Sequence, residues 1–229
     1  MNVFTDRREA GRELTQRLIH YKQQDVVVVA IPRGGVIVAS EVAKGLNAPL
    51  DLVIPRKIGA PGNPELAIGA VAGKGKVMLN EELKEALRVP DEYVEEEVNK
   101  QIEEINRRRK KYLGNKPAKS LQDKVVILVD DGLATGYTAL AAISAIREEK
   151  PRRMVLAVPV APRDTFERLK GEVDEIICLD LPEFFYAVGQ FYLDFSQTTD
   201  EEVIEILKEN AEKLMTNLPA GRHGVKGRK

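Results

Sequence analysis

The chain has 229 residues, 43% hydrophobic and 31% charged, an ordinary balance for a soluble globular protein with apolar material enough for a sizeable core. A formal net charge of −1 excludes a global field that would gather nucleic acid or an anionic membrane. One cysteine, Cys178, excludes an internal disulfide. No apolar run reaches the ~18 residues of a membrane span, so with its charged, signal-free start the chain is expected to be cytoplasmic.

From the amino end, Asp6–Tyr21 reads as a helix. Thr5 or Asp6 can cap it, and Ala10, Leu14 and Leu18 recur every four residues as an apolar face. Val26–Ile31 (VVVVAI) is the β-branched run of a strand buried on both faces. Gly34 and Gly35 break it, and Val36–Lys44 reads as a helix stopped by Gly45. Leu50–Ile54 is a second buried strand. Pro55–Glu65 (PRKIGAPGNPE) carries the prolines and glycines of a loop, and Leu66–Ala72 is a further extended stretch.

Asn80–Tyr112 reads as two helices split near Val89 and Pro90. The second has Val94, Val98, Ile102 and Ile105 on one stripe. It begins acidic (Glu95, Glu96, Glu97) and ends basic (Arg107, Arg108, Arg109, Lys110, Lys111), an order that suits the helix dipole. That basic end reads either as a solvated surface or as the tip of a cationic lid over a phosphorylated ligand. Val125–Val129 is a strand and Thr138–Glu149 its helix. Met154–Val160 and Glu175–Leu179 are two more strands, with a helix over Arg163–Lys170 between them; Cys178 reads as a buried strand residue. Leu218–Lys229 is a basic, glycine-rich tail expected to be disordered. Strands alternating with helices predict an α/β fold with a parallel twisted sheet flanked by helices.

The chemistry concentrates in Val125–Arg147 (VVILVDDGLATGYTALAAISAIR): a strand, two adjacent acids, a small-residue turn and an amphipathic helix. In an open α/β sheet, ligands bind beyond the carboxyl ends of the strands, where Asp130 and Asp131 stand. The turn leads to a helix N-terminus, whose free amides and dipole attract phosphate. Two carboxylates beside a phosphate cradle suit a ligand that also carries hydroxyls or a bridging metal, as a ribose 5-phosphate does. Neither a P-loop nor a dinucleotide glycine motif is present.

The string VDDGLATGYT resembles the signature of type I phosphoribosyltransferases. That resemblance implies that Asp130 and Asp131 hold the ribose hydroxyls and an associated Mg²⁺. Gly132, Leu133, Ala134, Thr135, Gly136, Tyr137 and Thr138 would cradle the 5-phosphate of 5-phosphoribosyl-1-pyrophosphate (PRPP). AIPRGG, Ala30–Gly35, is similar to the family's pyrophosphate loop, often with a cis bond. Arg33, Gly34 and Gly35 would then face the diphosphate, joined by Arg56 and Lys57 after the next strand. The sequence departs at Tyr137, where many members have a second glycine. It departs again at Ala134, where the hypoxanthine–guanine branch has its proposed base, an Asp; here it is more like the adenine and orotate branches.

Family members add a hood that holds the base. The candidate is Leu181–Phe195 (LPEFFYAVGQFYLDF), which holds six of the chain's twelve Phe and Tyr residues. Phe184, Phe185 and Tyr186 are its candidate base-stacking rings, the alternative being a small hydrophobic subcore. The expected organisation is one domain over residues 1–217, with a core of about 26–179, a helical lid at about 80–112 and a hood at about 181–217. Arg107, Arg108 and Arg109 would be the lid residues nearest the ligand. The implied reaction is Mg²⁺-dependent transfer of the phosphoribosyl group to a purine, pyrimidine or other nitrogenous base, with Asp130, Asp131, Arg33 and Lys57 as the working residues. A homodimer is expected because members commonly dimerise. A PRPP-sensing regulator that binds nucleic acid is the rival reading; a ligase or synthase would need an ATP motif that the chain lacks.

Overall fold

The computed structural model describes residues 3–73, 75–115 and 119–216, so the basic tail lies outside the described residues. Helix α1 (Arg7–Leu18) is capped by Asp6, whose carboxylate accepts from Glu9 N at 2.8 Å, and a single 3-10 turn, Ile19–Tyr21, extends it. The β-branched run becomes β1 (Val26–Ala30), with all five residues buried. Helix α2 (Gly34–Leu46) then runs through Gly45 and ends at Asn47 in the left-handed region. Gly45 is therefore not a stop signal: a side chain there would strike Thr15 of α1, so the glycine is a close-packing point between two helices.

Four more strands complete a parallel sheet: β2 (Leu50–Leu52), β6 (Val125–Val129), β7 (Arg153–Val160) and β8 (Glu175–Asp180), in the order β2-β1-β6-β7-β8. Alternation along β1 divides the core. Val26, Val28 and Ala30 join the cluster that includes α1 and α2, while Val27 and Val29 join that of α5 (Tyr137–Arg147). Cys178 is half-buried rather than buried, because β8 is an edge strand. Burial still pushes its thiol up to about 12.

A second, antiparallel sheet corrects the reading of Pro55–Glu65 as a loop. Arg56–Ala60 is β3, paired with β4 (Asn63–Ala72), which pairs with β5 (Lys76–Leu79). Pro61 and Gly62, with φ +73° at Gly62, turn one strand directly into the next, and Ile58 and Ile68 are fully buried. The helices α3 (Glu81–Ala86) and α4 (Asp91–Leu113) part near Val89–Pro90 as expected. Helix α4 packs on β3, and Tyr93 donates to Gly59 O at 3.1 Å.

Beyond β7 comes α6 (Arg163–Lys170). The stretch after β8 packs Phe191 and Tyr192 with Phe4, Ala10 and Val160 in a separate aromatic cluster. The described residues end with α7 (Asp200–Thr216), a helix not singled out from the sequence, which buries Val203, Ile206 and Leu207 and packs against α2. Among the described residues, no helix is long and apolar enough to cross a membrane.

Candidate active site

The register of the sheet builds the site. Ala30 pairs with Val129, so β1 and β6 end level, and Ile31 N extends the pairing to Val129 O at 3.0 Å. The two loops singled out from the sequence therefore lie side by side at the carboxyl edge. In the first, the Pro32–Arg33 peptide is cis, and α2 begins at once with Gly34. Gly34 and Gly35 lie against the acids: a Cβ on Gly35 would sit 2.8 Å from Asp130 Oδ1, and one on Gly34 would overlap the Asp131 carboxylate.

The acid pair is more enclosed than its sequence suggests. Asp130 Oδ1 accepts from Asp131 N at 2.9 Å. Burial, and after it the neighbouring charge of Asp131, hold the Asp130 carboxyl well above the usual carboxylate range. Asp131 Oδ2 pairs with Arg7 Nε at 2.7 Å, with side chains 16% and 9% exposed. Arg7 also donates to Ser196 O at 2.8 Å and lies 3.8 Å over the Phe195 ring. Tyr192 donates to Asp131 O at 2.6 Å. Arg7 was missed because its partner is 124 residues away. The available signal was its place three residues before Ala10 and seven before Leu14, on the buried face of α1.

Gly132–Gly136 form the second loop. Gly136 adopts φ +73°, and no side chain caps α5, so the first-turn amides of that helix open toward the loop. Helix α6 grips the loop from outside: Thr165 Oγ1 donates to Ala134 O at 2.8 Å and Arg168 donates to Thr135 O. Arg168 also stacks over Tyr137 at 5.1 Å, which gives this side chain a packing role where many relatives have glycine. Leu133 is buried, Thr138 half-buried, and Ala134 and Thr135 are exposed.

The basic residues gather only in part. Arg56 is half-buried and donates to Gln101 Oε1 of α4 at 2.9 Å. Burial lowers its pKa, helped by the charge of Arg108. Arg107 and Arg108 both clasp Glu104, at 2.6 and 2.7 Å, and hold its carboxyl down to about 2. These two residues, expected at the tip of a lid, thus stand near Arg56. Arg109 instead lines a cavity of about 780 Å³ with Asp51 and Ile105. Lys57 is exposed, and strand alternation sends it to the face of β3 opposite Arg56. Arg33 NH1 lies 3.7 Å from Asp200 Oδ1.

Of the aromatic candidates, Phe184 and Tyr186 are 65% and 88% exposed, and Phe185 stacks on Phe191 at 5.5 Å as part of the subcore. The ring that reaches the acid pair is Tyr192, through its hydroxyl, and Phe195 stacks on it at 5.1 Å. Among the described residues no three His, Cys, Asp or Glu side chains gather into a metal cage. With Asp131 engaged by Arg7, an Mg²⁺ bound here would have Asp130 as its protein carboxylate.

A parallel sheet whose adjacent central strands end in a glycine loop over an acid pair and in an uncapped helix N-terminus defines an α/β protein with its candidate site at the carboxyl edge of the sheet. The chain belongs to the phosphoribosyl transferase family: the family profile described as "Phosphoribosyl transferase domain" matches residues 5–196. Two Mycobacterium tuberculosis proteins named as phosphoribosyl transferases, MT0597 and Rv0571c, are each 42% identical over 207 residues, 90% of this chain but 47% of theirs. The chain thus spans about half the length of those curated relatives. Among solved structures, TT1426 from Thermus thermophilus is 45% identical with a TM-score of 0.77, over 90% of this chain and 98% of that one.

Proposed function

We propose that the chain transfers the 5-phosphoribosyl group of PRPP to a nitrogenous base and releases pyrophosphate. The observation that carries this reading is the level ending of β1 and β6, which sets Gly34 and Gly35 directly against Asp131 and Asp130, the acids that open the loop into α5. One ligand can then meet all three at once. Its 5-phosphate takes the amides of Gly132–Thr138 and the Thr135 and Thr138 hydroxyls. Its ribose hydroxyls donate to Asp130, and its diphosphate meets Arg33, the amides of Gly34 and Gly35, and Arg56.

A bound Mg²⁺ would shield the diphosphate charge, with Asp130 as the nearest carboxylate. The bond from the anomeric carbon to the diphosphate oxygen breaks as the base nitrogen bonds to that carbon. The side chains contribute by positioning and by stabilising the departing charge. The rival regulator reading is disfavoured because Arg107, Arg108 and Lys111 already pair with Glu104 and Asp200. The homodimer remains a proposal that light scattering would test.

The test is pyrophosphate release from PRPP and Mg²⁺ with pooled bases and with none. Base-dependent release is the expected result. Asp130→Asn should lower kcat/KM for PRPP about 10- to 100-fold, the worth of a charge-assisted contact of roughly 1.5–3 kcal/mol. PRPP binding without release under any base would favour the regulator.

A further inference from the structure

Asp200 opens α7 at the rim of the site, and groups from two other elements converge on it. Lys111 Nζ reaches Oδ2 at 2.7 Å and the Tyr112 hydroxyl donates to Oδ1 at 2.6 Å, both from the end of α4. Arg33 NH1, from the loop after β1, lies 3.7 Å from Oδ1. The start of α7 does not require this side chain. Thr199 Oγ1 accepts from Glu202 N at 3.1 Å and Glu202 Oε2 accepts from Thr199 N at 2.7 Å, a reciprocal cap that leaves the Asp200 carboxylate to face outward from its own helix. The side chain is 25% exposed, too open to be a packing element.

We propose that Asp200 is a positioning residue that competes with the diphosphate for Arg33, and so sets how tightly PRPP and pyrophosphate are held and how readily pyrophosphate leaves. The inference rests on the diphosphate lying at Arg33, as the proposed function has it. A guanidinium has donors enough for two acceptors. Its charge, however, is shared: a guanidinium already partly neutralised by a fixed carboxylate 3.7 Å away attracts a diphosphate less strongly. Lys111 and Tyr112 keep the carboxylate from swinging away. Lys111 and Tyr112, whose hydrogen bonds are the largest influences, also hold its carboxyl down to about 2, so it stays charged at any working pH. The same acid thus links Arg33 to the end of α4.

The test is calorimetry of inorganic pyrophosphate with Mg²⁺, and separately of PRPP, on the wild type, Asp200→Asn, Arg33→Gln and the double variant. Asp200→Asn is expected to bind pyrophosphate about three- to fivefold more tightly, the scale of a partly exposed ion pair. Its KM for PRPP should fall by a similar factor while kcat does not rise, a split that a merely structural role would not give. On the Arg33→Gln background the gain should vanish. Tyr112→Phe, which removes a hydrogen bond but no charge, should leave the affinity within about twofold. Asp200→Ser serves in the same role should the asparagine variant not fold. Unchanged or weaker binding overturns the proposal, and so does a gain that persists without Arg33. If the wild type binds both ligands and Asp200→Asn changes nothing, this inference alone falls. If the wild type binds neither, the reading of the site falls with it.

Discussion

Gly34 stands where no side chain can follow, because the Asp131 carboxylate and the Arg7 guanidinium already fill the space a Cβ would take. Gly34→Ala should therefore destabilise the fold by about 1–3 kcal/mol, as overpacking of a filled site does. Gly171, with open space around it, is the control. Its alanine variant should fall within about 0.5 kcal/mol of wild type in urea unfolding, and equal losses at the two positions would contradict the packing argument. Arg7 makes the complementary case. Arg7→Met leaves a shielded Asp131 without its counter-charge and should lose about 3 kcal/mol or more, whereas Arg7→Met with Asp131→Asn should recover much of it. A thermodynamic cycle with no coupling would mean the pair is incidental.

Among the elements, the eight-residue α6 has a role its length does not suggest. Its hydrogen bonds to the loop go to the carbonyls of Ala134 and Thr135 rather than to the amides that would meet a phosphate, and Arg168 also packs on Tyr137. Thr165→Val removes one of those ties and should cost about 1 kcal/mol of stability. The expected larger effect is on KM for PRPP, since the loop loses part of its outer support while every proposed ligand contact remains. An unchanged KM would show that the loop is rigid without α6. Helix α4 is the contrasting element. Its basic end, read as either solvated surface or lid tip, is a structural joint: Lys111 and Tyr112 meet α7, and Arg107 and Arg108 meet Glu104 beside Arg56.

For the molecule as a whole, the joint between α4, α7 and the β1 loop should be visible in acid. Asp200 and Glu104 have folded values near 2, below their ordinary 3.8 and 4.5. A carboxylate with a depressed folded pKa stabilises the fold above its unfolded value, and that contribution is lost as pH falls through the folded one. Thermal stability should thus drop between about pH 4.5 and 2. Because both groups are solvent-accessible, each accounts for no more than about 1 kcal/mol. The stability gap between wild type and Asp200→Asn should shrink across that interval; a gap independent of pH would mean that the ion pairs of Asp200 do not stabilise the fold.

The local sequence determined whatever depends on neighbours along the chain. The β-branched runs made β1 and β6, the acid pair followed by a small-residue turn marked the phosphate loop, and the Val89–Pro90 break separated α3 from α4. The parallel sheet followed from their alternation, and the two glycine-bearing loops were legible as a pair because each ends a buried strand. Tertiary structure alone decided the rest. The β3–β4 hairpin looked like a loop because its pairing partner, not its own propensity, makes Arg56–Ala60 a strand, and that pairing separates Arg56 from Lys57. Arg7 reaches Asp131, Tyr192 rather than Phe184 comes to the acid pair, and Asp200 reaches Arg33, each across more than 60 residues of chain. Contacts at that range leave no periodicity in the sequence; they exist only once the sheet has set its strands level and the helices have closed over its edge.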